Sequence, residues 1–281
     1  MADAPPKVKI CGITNLQDAE LAVELGAWAL GMIFFQDSPR RCAPAEAERI
    51  VATLRRKVEL CGVFVNAPLE QVVAFTEDLG LTMLQFSGEE GPSFCAEATR
   101  RNGARVIKAA QVAGPGDVRD LERFHVDFHL LDARAKDPSK RDLRGGTGET
   151  FDWSLVRARR SKVPLILSGG LNADNVVAAI EATHPFAVDT ASGTEATPGH
   201  KDPQRLRAFF EAVASTAGHD AVATDEGVAN EEVVAPRGDV ALDEAAAADE
   251  VIAAEAAAAE PVANEEVVAT EDIATISGGG A

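Results

Sequence analysis

Residues Val8-Lys9-Ile10-Cys11-Gly12-Ile13-Thr14 read as a short apolar strand running into a glycine turn, and Thr14-Asn15-Leu16-Gln17-Asp18 reads as the start of a helix. The chain repeats this unit of strand, tight turn and helix. Apolar runs of the kind that become buried parallel strands recur at Ala27 to Phe35, Leu60 to Val65, Thr82 to Phe86, Arg105 to Ala109, Val126 to Asp132, Val163 to Ser168 and Phe186 to Ala191. Stretches with helical spacing follow them at 16–25, 45–54, 68–79, 93–101, 116–123, 152–159, 172–182 and 203–213. Eight alternating βα units in roughly 205 residues match a compact (βα)8 TIM barrel, smaller than the ~250 residues usual for that architecture. A doubly wound open sheet is the competing arrangement. It more often has five or six strands and a GxGxxG first turn, which Cys11-Gly12-Ile13 is not.

Composition divides the 281 residues near position 215. Residues 1–215 hold every Cys, Trp, Phe and Met, and read as one barrel domain. Residues 216–281 hold sixteen Asp and Glu against a single basic residue, Arg237, so all but three of the eighteen net negative charges lie there. With no aromatic residue and many Ala and Glu, this acidic tail is expected to be disordered or transiently helical. An acidic tail that docks on a basic partner is the functional alternative.

The charge argues against nonspecific nucleic-acid binding. Cys11, Cys42, Cys61 and Cys95 form no CxxC pair or Cys/His cluster with zinc spacing, so no metal site is expected. No apolar run approaches the ~18 to 20 residues of a membrane span, and the first residues lack the regions of a signal peptide. The expectation is a soluble, cytoplasmic protein with free thiols.

In a parallel barrel the strand ends and the loops after them build the ligand site. Cys11 ends the first strand, and Asp132 ends the sixth on the face shared by Val126, Phe128 and Leu130. A thiolate and a carboxylic acid across the barrel mouth make a general base and a general acid, provided one pKa is lowered and the other raised. A buried structural thiol and a loop-anchoring carboxylate are the alternative readings.

If Cys11 faces inward, parity puts Lys9 on the same barrel face, where it must be displaced outward or paired, and an acidic partner such as Asp189 is expected. Ser168-Gly169-Gly170-Leu171-Asn172 and Thr190-Ala191-Ser192-Gly193 follow the seventh and eighth strands, the habitual phosphate cradle of this barrel. Arg40, in Ser38-Pro39-Arg40-Arg41 after the second strand, suits a carboxylate; a solvated surface arginine is the alternative. The long, charged segment 133–150, containing Gly145-Gly146-Thr147-Gly148, reads as a lid.

In this order the pieces resemble the phosphoribosylanthranilate isomerases, (βα)8 enzymes of tryptophan biosynthesis. Over residues 7 to about 213 the resemblance is carried by Lys9-Ile10-Cys11-Gly12-Ile13-Thr14, Gly62-Val63-Phe64-Val65-Asn66, Gly145-Gly146-Thr147-Gly148 with Phe151-Asp152-Trp153, Ser168-Gly169-Gly170-Leu171, and Val188 to Glu195 leading to Pro198-Gly199-His200-Lys201-Asp202. It implies a cofactor-free Amadori rearrangement of a phosphorylated small molecule by a monomer or homodimer. Asp132 is then the general acid and Cys11 the general base. Arg40 holds the anthranilate carboxylate, Asp189 is an acidic group near the substrate, and Gly146, Gly169, Gly170, Ser192 and Gly193 belong to the substrate and phosphate site. Where the family commonly has Gln-Leu-His-Gly-Glu-Glu, this chain has Gln85-Phe86-Ser87-Gly88-Glu89-Glu90. Altered substrate contacts or turnover, not loss of the reaction, are expected from that change.

Overall fold

The computed structural model describes residues 4–134, 148 and 150–217, in which eight parallel strands close on themselves. β1 (Lys7–Cys11), β2 (Ala29–Ile33), β3 (Glu59–Phe64), β4 (Met83–Phe86), β5 (Arg105–Val112), β6 (Phe128–Ala133), β7 (Leu165–Leu167) and β8 (Ala187–Thr190) pair in chain order, and β8 pairs with β1. Each falls on one of the eight apolar runs, so the closed barrel replaces the open sheet as the arrangement. Outside it run α1 (Leu16–Glu24), α2 (Pro44–Leu54), α3 (Leu69–Leu79), α4 (Pro92–Asn102), α5 (Pro115–Asp120), α6 (Val176–Thr183) and α7 (Pro203–Ala214). A small antiparallel ribbon, β9 (Glu195–Thr197) and β10 (His200–Lys201), follows β8. Gly146, most of the expected lid and the tail from residue 218 lie outside the described residues.

Local chemistry starts and stops the helices. The Asn15 side chain accepts from the Asp18 N–H to cap α1, and Asp202 accepts from Gln204 and Arg205 to cap α7. Proline occupies the first turn of α2, α4, α5 and α7, where its missing N–H has no helical acceptor to lose.

Two expected helices differ. Residues Trp153–Ala158 form a 3₁₀ turn capped by Asp152, because only a short run separates that cap from the extended approach to Pro164. The helix expected from 172 begins at Val176. Asn172 and Asn175 bond each other's turn instead, Asp174 N–H to Asn172 Oδ1 at 2.8 Å and Asn172 N–H to Asn175 Oδ1 at 2.9 Å. That delay leaves Gly170 and Leu171 as a loop at the barrel mouth.

The apolar interior has two layers. One lies between strands and helices, with Ile10, Leu30, Leu84 and Phe209 fully buried. The other fills the barrel itself, from Ala29, Met83, Ile107 and Ile166. At the end opposite the strand termini, Trp28, Phe128 and Phe186 stack at centroid distances of 5.3 to 5.4 Å. Lys7 covers the Trp28 and Phe186 rings and Arg105 the Phe128 ring, closing this end with cations over aromatic faces. No helix of the described residues is long and apolar enough to cross a membrane.

Candidate active site

The carboxyl ends of the strands surround a cleft of about 770 Å³, open mouth included, and Cys11, Arg40, Asp132, Gly170, Asp189 and Ser192 all line it. Chain positions up to 181 residues apart thus line one cleft, brought there by closure of the barrel and by the loops after its strands. Gly169 and Gly193 stand behind the lining. Gly169 has φ +93° and a β-carbon there would come within 2.6 Å of the Ala133 nitrogen; one at Gly193 would strike the Leu171 carbonyl. Both glycines are fixed by close backbone approach, which brings Gly170 and Ser192 forward. The N–H groups of Gly170 and Leu171 form no hydrogen bond among the described residues, and both residues line the cleft.

Asp132, the next-to-last residue of β6, lines the cleft. Burial, and then the nearby Asp189 carboxylate, push its pKa up to about 7, against the Ala133 N–H that donates to Oδ1 at 2.9 Å and the charge of Lys9. A carboxylic acid that keeps its proton near neutrality is what a general acid requires.

Cys11 departs from expectation. A base with a depressed pKa is required by the sequence argument, yet burial pushes the resting thiol up, and the cations Lys9 and Lys201 offset only part of this. The reason is depth: Cys11 is 6% exposed at the top of a packed interior, which disfavours its anion before any substrate charge arrives.

Lys9 points into the barrel, fully buried, with Nζ 2.7 Å from Asp189 Oδ1. The two are register partners across the β1–β8 seam. Burial disfavours the ammonium, but Asp189, together with smaller contributions from Cys11 and Cys61, outweighs it and the pKa of Lys9 ends above the ordinary lysine value. The second Asp189 oxygen accepts from Ser168 Oγ at 3.0 Å.

Arg40 is 8% exposed and bound to a residue that sequence reasoning left without a role, Glu195. Lys201 was missed as well. Its Nζ donates to the Cys11 carbonyl at 2.8 Å and the Ala191 carbonyl at 2.9 Å, and lies 3.5 Å from Glu195, so it ties the end of β1 to the turn after β8. Both residues sit inside the motifs that carried the resemblance, but their partners are too distant in sequence for any spacing to show. Gly31 is a third. It is the register partner of Cys11, and a β-carbon there would lie 2.8 Å from the Cys11 sulfur. Ser87, at the position of the usual histidine, lines the cleft and accepts from Gln85 Nε2 at 3.1 Å.

A closed eight-stranded barrel with a carboxylic acid, a thiol and a glycine loop lining one cleft at its strand ends is a (βα)8 barrel of the enzyme type. Residues 8–212 match the family model of N-(5'-phosphoribosyl)anthranilate (PRA) isomerase. The N-(5'-phosphoribosyl)anthranilate isomerase of Pelobacter propionicus is 43% identical over 210 residues, 75% of this chain and 96% of that one. The crystal structure of phosphoribosyl anthranilate isomerase from Thermotoga maritima is 39% identical with a TM-score of 0.66, covering 75% of this chain and 99% of its own. A further isomerase structure, 37% identical with a TM-score of 0.63 over 75% of this chain and 99% of its own, is a complex with reduced 1-(o-carboxyphenylamino)-1-deoxyribulose 5-phosphate. This chain belongs to the N-(5'-phosphoribosyl)anthranilate isomerase family.

Proposed function

We propose that this chain acts in the cytoplasm to convert N-(5-phosphoribosyl)anthranilate to 1-(2-carboxyphenylamino)-1-deoxyribulose 5-phosphate, with Asp132 as general acid and Cys11 as general base. Asp132 gives its proton to the ribose ring oxygen while the anthranilate nitrogen pushes the C1′–O bond open, leaving a Schiff base. The Cys11 thiolate takes the C2′ proton, and the electrons of that C–H bond move in to give an enolamine. Transfer of the enol proton to C1′ then yields the ketone. The substrate is isomerised with no net gain or loss of protons, and return of one proton from Cys11 to Asp132 through solvent resets the enzyme.

The observation that carries this reading is the pair at the mouth: Asp132 and Cys11 line one cleft, and the acid holds its proton up to about pH 7. Arg40 receives the anthranilate carboxylate with a guanidinium already oriented by Glu195. Gly170 and Ser192 receive the phosphate, and Gly169 and Gly193 support them from behind. Asp189 lines the cleft beside the substrate while holding Lys9. The relative bound to the reduced product supports a phosphorylated, carboxylate-bearing ligand for this cleft.

The test is turnover of freshly generated N-(5-phosphoribosyl)anthranilate, followed by loss of its anthranilate fluorescence, in wild type, Cys11→Ala and Asp132→Asn. Turnover abolished by either substitution is the expected result. A folded wild type without turnover would overturn the reading, and an active Cys11→Ala would remove Cys11 from its role.

A further inference from the structure

We propose that Lys9 and Asp189 form an oriented charge pair that biases the proton shared between the catalytic groups away from Cys11 and toward Asp132, making both positioning residues for the reaction. This deepens the proposed function and rests on its assignment of acid and base.

Nothing in barrel packing asks for ions here. The neighbouring interior positions, among them Ala29, Ile107, Leu130 and Ala187, are apolar, and a buried ion pair generally contributes no more to stability than well-packed apolar residues of equal volume. The direction of the pair is specific. A β-carbon at Gly31 would meet the Cys11 sulfur at 2.8 Å and Lys9 Nζ at 3.2 Å, so thiol and ammonium lie side by side over that glycine.

The anion points the other way. Asp189 accepts from Ser168, whose own N–H bonds the Leu131 carbonyl at 2.8 Å, so the carboxylate lies on the β6–β7 side where Asp132 stands. Cation toward base and anion toward acid is a dipole across the site. The charged and titratable groups facing Cys11 are Lys9, Lys201, Asp189 and Cys61; those facing Asp132 are Asp189 and Lys9; Arg40 and Glu195 flank Lys201.

The dipole matters because the resting pair carries its protons the wrong way round. With the thiol's pKa above the acid's, one proton shared between them sits mostly on Cys11, and the reactive combination of protonated Asp132 and thiolate Cys11 is a minority. That minority has a constant population between the two pKa values, so kcat/KM forms a plateau bounded by them. Each unit by which the pKa values separate lowers the plateau about tenfold. Removing a charge pair at this range separates them by about one to two units.

The experiment is the pH dependence of kcat/KM for wild type and Lys9→Met/Asp189→Asn, which removes both charges and leaves neither buried alone. Beside it, the pH dependence of Cys11 alkylation by iodoacetamide is read by mass spectrometry of the Cys11 peptide, without substrate. The proposal predicts a plateau that widens at both limbs and falls about ten- to a hundredfold, about tenfold per unit of widening, with an upward shift of the alkylation midpoint. A folded double variant whose plateau falls without widening and whose alkylation midpoint stays put would reduce the pair to a structural part and overturn it.

Should the double variant fail to fold, Asp189→Asn alone decides. Losing only the anion must move both limbs and the alkylation midpoint to lower pH, and unmoved values overturn the proposal. Failure of the wild type to turn over the phosphoribosyl substrate would reject the functional reading, whereas the alkylation profile tests the charge pair without it.

Discussion

Arg40 and Glu195, 155 residues apart, form a forked ion pair on the wall of the cleft: Arg40 Nε lies 2.9 and 3.0 Å from the two Glu195 oxygens, and its terminal nitrogen lies 2.9 Å from Oε2. The carboxylate fixes the plane of the guanidinium before any ligand arrives, so Glu195→Gln is expected to loosen the proposed ligand anchor directly and to reach Cys11 only indirectly, through Lys201. KM should rise about tenfold with kcat within about threefold of wild type, because a bidentate fork loses geometry when one partner is neutral. Steady-state kinetics check this; a fall in kcat with unchanged KM would contradict it.

Asp132 holds its proton at a price in stability. Its pKa is about 7 in the fold against an ordinary 3.8, so the folded state binds the proton more tightly than the unfolded chain does. Stability from this group is intact below about pH 4 and is lost progressively as pH rises to about 7, beyond which the loss is constant. Asp132→Asn should therefore melt several degrees above wild type at pH 8, with the gap closing toward pH 4. Thermal denaturation across that range is the measurement, and equal melting temperatures at pH 8 would reject the raised pKa.

Gly31→Ala inserts one methyl where the Cys11 sulfur and Lys9 ammonium already crowd the β2 backbone. The thiol must shift by a sizeable fraction of an ångström. A kcat/KM loss of about a hundredfold follows from such misplacement, with about 1–3 kcal/mol of overpacking lost from stability. Kinetics and urea melts together separate this from unfolding; near-normal activity would show that the thiol can give way freely.

Phe128→Ala opens the aromatic layer at the end of the barrel away from the cleft. The expected loss is about 3–5 kcal/mol of stability, while kcat/KM at 25 °C stays close to wild type because the mouth is untouched. Denaturant titration and kinetics on the same sample test the separation.

The composition boundary predicts that a chain ending at residue 217, just past α7 (Pro203–Ala214), keeps the full kcat/KM and melting temperature of the complete chain. Loss of activity on truncation would assign the acidic segment a part in catalysis.

The sequence by itself determined the eight strands, their order and the groups at their ends, because buried parallel strands are continuous apolar runs and inward positions alternate. It also implied that Lys9, if inward, must find an acid or be displaced outward, since a buried ammonium cannot stay unpaired. It could not show that β1 and β8 would be neighbours in register, which closure of the barrel decides, nor that Glu195 and Lys201 would brace Arg40 and Cys11. Those contacts depend on where loops from distant strands meet in space. The protonation states were likewise beyond it. A thiol expected to be lowered is raised, because burial against packed strands outweighs two nearby cations, and only the packed structure sets that balance.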